Sequence, residues 1–212
     1  MKILSVNIGS LREVIRGGKK VQSGIFKQPV EGSVEVRHLG LEGDHQGNKK
    51  VHGGIYKAVY LYPSEHYGVW RDALGKPELS FGDFGENLTA LGLMEDEVCL
   101  GDRFRIGSAE LAVTQPREPC ATLSVRMGLS DLPKRFRQSG RSGFYLSVVN
   151  EGSLSEGDSI ECVSKDENRV SVAEFNRVLN GEPGVEEIIR RTCKVNALPE
   201  KLKDRLLKQL DA

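Results

Sequence analysis

The 212 residues contain only four cysteines, Cys99, Cys120, Cys162 and Cys193, and none forms a Cys-x-x-Cys pair. That argues against a structural zinc site and against a small disulfide scaffold, so reduced thiols are the default reading. Net charge is also missing: 30 Lys and Arg residues balance 30 Asp and Glu residues. No global field draws the chain toward DNA or anionic lipid, and any anion site has to be local. Aromatic residues make up 6% of the chain, too few for the stacking groove that single-stranded nucleic acid requires. The opening apolar stretch is too short for a signal-peptide core or a membrane span, so the expected location is the cytoplasm. No Gly-x-Gly-x-x-Gly fingerprint of a flavin or nicotinamide fold is present.

What remains is an ordinary folding composition, 38% hydrophobic and 28% charged, in a chain long enough for one substantial core. The pattern changes near residue 165. Before it, the spacing predicts strands over 3–8, 34–38, 58–62, 103–106, 109–114, 143–149 and 159–163. Ala109, Leu111 and Val113 alternate with Glu110, Ala112 and Thr114, which fits a strand with one buried face. The pairs Gly101-Asp102 and Gly157-Asp158 precede such runs as turns. Many short strands with glycine turns favour a barrel or sandwich. Helices over 64–74, with Tyr67, Trp70 and Leu74 on one face, over 120–127 and over 132–139 would pack outside that barrel or plug its end.

After residue 165 the spacing is helical. Ser171 and Glu174 make a capping box ahead of Val172, Phe175, Val178 and Leu179, and Gly181 follows as a stop. Two more helices are expected over 185–192 and 199–210. The expected architecture is therefore mainly β with α: a β-barrel domain over 1–164 with peripheral helices, and a three-helix extension over 165–212. So short an extension needs the barrel or a second subunit to complete its core.

Three segments concentrate chemistry. Gln115-Pro116-Arg117-Glu118-Pro119-Cys120 follows a strand, and its two prolines make it a stiff loop that presents a thiol. A helix starting there would place the sulfur at a helix N-terminus near Arg117, and both features favour thiolate. The bland reading is a small buried cysteine at a strand end, and for Cys99, Cys162 and Cys193 in apolar contexts that reading is preferred. The second segment, 43–54, holds Asp44, His45, Lys49, Lys50, His52, Gly53 and Gly54. Its glycines allow close backbone approach, His45, His52 and Asp44 could hold a metal, and the lysines could meet a phosphate; a solvated hairpin loop is the plain alternative. The third is 81–89, where Glu86 and Asn87 lie between a glycine turn and a strand, and Asn87 offers donor and acceptor groups to a heterocycle edge. A turn with capping side chains would explain it equally. Arg126, Lys134, Arg135, Arg137 and Arg141 form the one dense basic stretch, ordinarily a solvated helix face but able to reach a phosphate beside the thiol.

Taken in order, Ile3-Leu4-Ser5-Val6-Asn7, Gly40-Leu41-Glu42-Gly43-Asp44, His52-Gly53-Gly54, Phe84-Gly85-Glu86-Asn87-Leu88, Gly101-Asp102 and Gln115-Pro116-Arg117-x-Pro119-Cys120 resemble the MOSC superfamily. The likeness is to its YiiM-like branch, linked to resistance against 6-N-hydroxylaminopurine. The tail resembles that branch's three-helix extension. The resemblance implies a barrel pocket for molybdenum cofactor (molybdopterin), with Cys120 as molybdenum ligand and Cys120, Arg117 and His52 as the reactive set. The implied cofactor-holding set is Asp44, Lys49, Lys50, His52, Gly53, Gly54, Glu86, Asn87, Thr114, Gln115, Arg117 and Arg135. His52 and His45 are candidate ligands of a divalent metal. The implied reaction removes oxygen from N-hydroxylated compounds to leave an amine and water. Without its own flavin or nicotinamide fingerprint, the chain would need a separate electron-donor reductase of flavoprotein type. A homodimer is expected, with no membrane and no stable nucleic-acid partner. The rivals within the same fold are a persulfide sulfur carrier on Cys120 and a module that stores or hands over cofactor.

Overall fold

The computed structural model describes residues 1–47 and 53–210. Strand β1 (Lys2–Ile8) buries Ile3 and Val6. Gly17 and Gly18, with φ of 56° and 75°, turn β2 (Arg12–Arg16) back on β3 (Lys19–Ser23). Two positive φ values in a two-residue loop suit the twist of a hairpin, and glycine adopts them without steric cost. The short strands β4 (Gln28–Pro29), β5 (Val34–Arg37) and β6 (Gly40–Leu41) precede a 3-10 turn at Ile55–Lys57. Next come β7 (Val59–Pro63), helix α1 (Glu65–Leu74), β8 (Leu88–Leu91), β9 (Arg103–Ile106) and β10 (Ala109–Pro116). Helices α2 (Ala121–Met127) and α3 (Leu132–Ser139) lead to β11 (Phe144–Asn150), β12 (Gly152–Leu154) and β13 (Ile160–Ser164). The tail is α4 (Val172–Leu179), α5 (Glu186–Lys194) and α6 (Glu200–Leu210).

Eight strands form one sheet in the order β13-β9-β10-β11-β7-β8-β1-β4. Its pairs are antiparallel except β7 with β8, which run parallel across the α1 crossover. This ladder does not close into the barrel that the sequence suggested. The outer edge of β1 is divided: Asn7 and Ile8 pair with β4, while Lys2 bridges Ser159 and Ile3 exchanges 2.9 Å hydrogen bonds with Gly157 and Asp158. Pro29 in the two-residue β4 has no N–H to extend the ladder. Strands β12, β5 and β6 make a second sheet, and the β2-β3 hairpin stands apart as a third.

The main core joins sheet residues such as Ile3, Val6, Leu88, Leu111 and Phe144 to Phe175, Ile188 and Leu206 of the tail in one apolar cluster. The capping box forms as the sequence predicts: Ser171 Oγ accepts from Glu174 N at 3.0 Å, and Glu174 accepts from Ser171 N at 2.9 Å. Strand β10 departs from its alternating pattern, because Ala112 and Thr114 are buried along with Leu111 and Val113. Its second face is covered as well: the Thr114 hydroxyl donates to Tyr56 O of the 3-10 turn at 2.7 Å. A second, aromatic cluster gathers Tyr62, Tyr67, Trp70, Phe84 and Phe136 between β7 and helices α1 to α3. Trp70 stacks on Phe136 at 5.7 Å and donates to Tyr62 Oη at 2.7 Å. Among the described residues, no helix is long and apolar enough to cross a membrane.

Because tail and sheet share one cluster, they should unfold together. Phe175→Ala is expected to cost about 3–5 kcal/mol and to lower a single transition seen alike by circular dichroism and by fluorescence of Trp70, which sits outside the tail. Two resolved transitions would show that the tail unfolds on its own.

Candidate active site

Strand β10 ends at Pro116, and the stiff loop beyond it delivers Cys120 as the extended N-cap of α2, with φ −122° and ψ 165°. Cys120 is half-buried and opens into a cavity of about 400 Å³, within the range that holds small molecules and cofactors. The walls come from segments far apart in sequence. Val21, Gln22 and Ser23 belong to the β2-β3 hairpin, Asp44 and His45 to the loop after β6, Tyr60 to β7, Asn87 to the turn before β8, and Tyr145 to β11. The hairpin meets the Asp44 loop at glycine-only distance: a Cβ on Gly24 would lie 1.7 Å from His45 O, and one on Gly47 would lie 2.0 Å from Gln22 O.

Arg117 is 5% exposed. Its backbone N–H donates to Gly143 O at 3.3 Å, and its guanidinium lies 5.6 Å from the Tyr60 ring centre and 5.4 Å from that of Phe136. Among the described residues, its buried Nη1 atom has no hydrogen-bond partner. Asp44 is the opposite case, with both oxygens engaged. Oδ1 accepts from Gly9 N at 2.8 Å and from the Lys27 ammonium, and Oδ2 accepts from Asn87 Nδ2 at 3.0 Å. Asn87 Oδ1 accepts from Tyr60 N at 3.1 Å. Burial pushes Lys27 below the usual lysine range, and the Asp44 carboxylate opposes that shift. Burial also lowers Lys57, with Glu118 opposing; its ammonium lies 5.6 Å from the Tyr145 ring centre.

Among the described residues the cavity thus presents four cations, Arg16, Lys27, Lys57 and Arg117, against the single carboxylate of Asp44. A chain of zero net charge concentrates positive charge here, beside a soft sulfur and an orphaned buried guanidinium nitrogen. That donor set suits a ligand carrying phosphate and a thiolate-seeking metal, and the residues present fit the molybdenum cofactor.

The structure brings together Asp44, His45, Asn87, Arg117 and Cys120 around this cavity and leaves other expected residues outside it. Asn87 does not offer a vacant edge to a heterocycle, because its amide holds Asp44, Asn7 O and Tyr60 N. Glu86 lies beneath the wall with no exposure. Thr114 is tied to Tyr56 O and Tyr145 O, and Gln115 pairs with Tyr145 in the β10-β11 ladder outside the described lining. Arg135 turns away to donate to Ala73 O at 2.6 Å. Gly53 and Gly54 lead into the 3-10 turn and do not line the cavity. Lys49, Lys50 and His52 lie outside the described residues. His45 is exposed with Nδ1 3.0 Å from Gly43 O, and among the described residues no group of three His, Cys, Asp or Glu could hold a metal. Cys99 is buried and Cys193 half-buried as structural thiols, but Cys162 is exposed on β13, not in an apolar setting. The sequence reading missed Lys27, Tyr60, Lys57 and the hairpin; of these only the hairpin carried a local signal, Gly17-Gly18.

The mainly β fold that carries this cysteine-bearing cationic cavity has known relatives. A family model described as MOSC domain matches residues 48–161, and the protein YflK of Bacillus subtilis is 40% identical over 212 residues, 97% of this chain and 96% of that one. The chain belongs to the MOSC domain family, a domain associated with molybdenum cofactor binding. Within it the chain is YiiM-like: the crystal structure of YiiM from Geobacillus stearothermophilus superposes with a TM-score of 0.83 at 34% identity, covering 99% of this chain and 98% of that one. A protein of Gibberella moniliformis named "Reductase" is 32% identical over 180 residues, 84% of this chain but 32% of its own length.

Glu86 gives the site a pH signature. Burial raises its pKa above the ordinary 4.5, only partly opposed by hydrogen bonds from Tyr67, Gly82 N and Thr89. The folded state therefore keeps a proton that the unfolded state releases, and stability falls as pH rises from 4.5 through the raised value. Glu86→Gln keeps an acceptor oxygen and has no proton to lose. Its melting temperature relative to wild type should climb steadily between pH 4.5 and 7; a constant difference would refute the raised pKa.

Proposed function

We propose that the chain is a molybdenum-cofactor-dependent reductase of N-hydroxylated compounds such as 6-N-hydroxylaminopurine, with Cys120 as the protein ligand to molybdenum. The observation that carries this is the half-buried Cys120 on the wall of a cationic cavity shared with Arg117, whose Nη1 has no hydrogen-bond partner among the described residues. The "Reductase" relative supports an oxidoreductase role. When bound, the cofactor supplies two-electron redox chemistry at an oxygen-accepting metal. The chain does the rest. Cys120 anchors the metal side, Arg117, Lys57 and Arg16 meet the anionic groups, and Tyr60 and Tyr145 wall the chamber. The electrons come from a separate reductase of flavoprotein type. None of the four cysteines forms a disulfide among the described residues, which fits a reducing cytoplasm, where we expect the protein to act as a homodimer.

Protein purified from cells able to make molybdopterin should contain molybdenum and reduce 6-N-hydroxylaminopurine, and protein from cells unable to make it should do neither. Outer-shell changes around metals typically cost 10–100-fold, so Cys120→Ala should lose more than about 100-fold of the activity together with its molybdenum. Equal activity in the variant sinks the role of Cys120. A Cys120 persulfide found by mass spectrometry without molybdenum would favour sulfur carriage instead.

A further inference from the structure

The cavity holds a lysine to which neither the family model nor the reading above gives a task. Lys27 precedes the matched region, which begins at residue 48. It sits on the segment between β3 and β4, is 6% exposed, and faces the same chamber as Cys120. Its ammonium lies against Asp44, which is held from behind by Gly9 N and by Asn87 Nδ2. The other carboxyl acting on Lys27 is Glu86, whose Oε2 has no hydrogen-bond partner among the described residues. Arg16, His45, Lys57, Arg117, Cys120, Tyr60 and Tyr145 complete the ionisable groups of the described lining. Removing an ammonium from water is costly even when it is paired, and an apolar pair would serve packing as well or better. A charged donor held on the wall of a reaction chamber, with its carboxylate fixed by two further hydrogen bonds, has the layout of a general acid and its orienting group.

We propose that Lys27 is the proton donor of the reductive step and that Asp44, braced by Asn87 and the Gly9 N–H, is its positioning residue. The inference rests on the N-hydroxyl reduction proposed above. In balance, R–NH–OH takes up two electrons and two protons, the N–O bond breaks, and R–NH2 and water leave. Both electrons originate in the separate flavoprotein donor. One proton passes from Lys27 Nζ to the departing oxygen and the other reaches nitrogen from water, after which solvent at the cavity mouth reprotonates Lys27. Burial makes this ammonium a stronger acid than a solvated lysine, and Asp44 limits the shift.

The test is the pH profile of kcat/KM for 6-N-hydroxylaminopurine, measured on holoprotein with reduced methyl viologen supplying electrons. Wild type should lose activity on the alkaline side as Lys27 deprotonates. Asp44→Asn removes the opposing carboxylate and should move that limb to lower pH, whereas Lys27→Arg stays protonated and should move it to higher pH. Lys27→Met should lose about 10²–10⁴-fold and the limb with it. NMR titration of the Lys27 side chain in cofactor-free protein reads the same group without turnover, and its midpoint should fall in Asp44→Asn. If Lys27→Met keeps its fold, its molybdenum and the wild-type alkaline limb, the inference is overturned, as it is by an NMR midpoint that Asp44→Asn does not move. A wild-type holoprotein that reduces nothing overturns the proposed function itself, and this inference with it.

Discussion

A buried carboxylate persists only where donors replace the water it has lost, and Asp44 is the carboxylate on which this site turns. Its three donors come from the end of β1, the segment before β4 and the turn before β8. One anion therefore gathers parts of the chain that are remote in sequence. The gathering continues outward, since Asn87 also accepts from Tyr60 N and so ties Asp44 to β7. The Tyr60 ring in turn lies under the Arg117 guanidinium. A chain of contacts runs from the acidic side of the cavity to its most buried cation, and the chamber takes its shape between them.

Two cores hold this arrangement from opposite sides. The large one binds sheet and tail into a single apolar body. The aromatic one holds α1, α2 and α3 against β7. The loop from Pro116 to Cys120 passes from β10 of the first core to α2 of the second, and Arg117 sits at the crossing with Phe136 on one side and Tyr60 on the other. Its two prolines restrict the backbone between two packed bodies. The thiol is therefore presented by a segment anchored at both ends, as a ligand or nucleophile of fixed position requires.

Strands β1, β5, β7, β9, β10, β11 and β13, the capping box at Ser171 and Glu174 and the Cys120 loop were legible because each is written in neighbouring residues. Strand β10 was misjudged on its second face because alternation reports only what the residue types permit. The cover over Thr114 comes from Tyr56, far away in the chain. The site shows the same divide more sharply. Asn87 and Glu86 have the side chains of ligand-binding residues, yet one is committed to bracing Asp44 and the other lies wholly beneath the wall. Arg135 belongs to a conspicuous basic run and spends its donor on a helix carbonyl. Lys27, in the run Ile25-Phe26-Lys27-Gln28-Pro29, has neither periodicity nor a charged neighbour to mark it. Its partner is fixed only when the loop after β6 folds back across Gly24. Cavities are made by tertiary approach, and a sequence pattern records that only where glycine or proline is required.

How the cations are neutralised decides what the cavity can still bind. A carboxylate beside each would have satisfied the charge and also occupied the donors. Lys27 has that arrangement, with Asp44. Arg117 is balanced mainly by the faces of Tyr60 and Phe136, and Lys57 lies over Tyr145. An aromatic face attracts a cation through its quadrupole without supplying the in-plane acceptor that an N–H seeks, which is how Arg117 comes to be buried with Nη1 unpartnered among the described residues. The aromatic residues of this chain are few, and a share of them is placed where they lower the cost of burying positive charge without cancelling it. The described lining of the cavity therefore keeps an excess of positive charge inside a protein whose overall charge is zero.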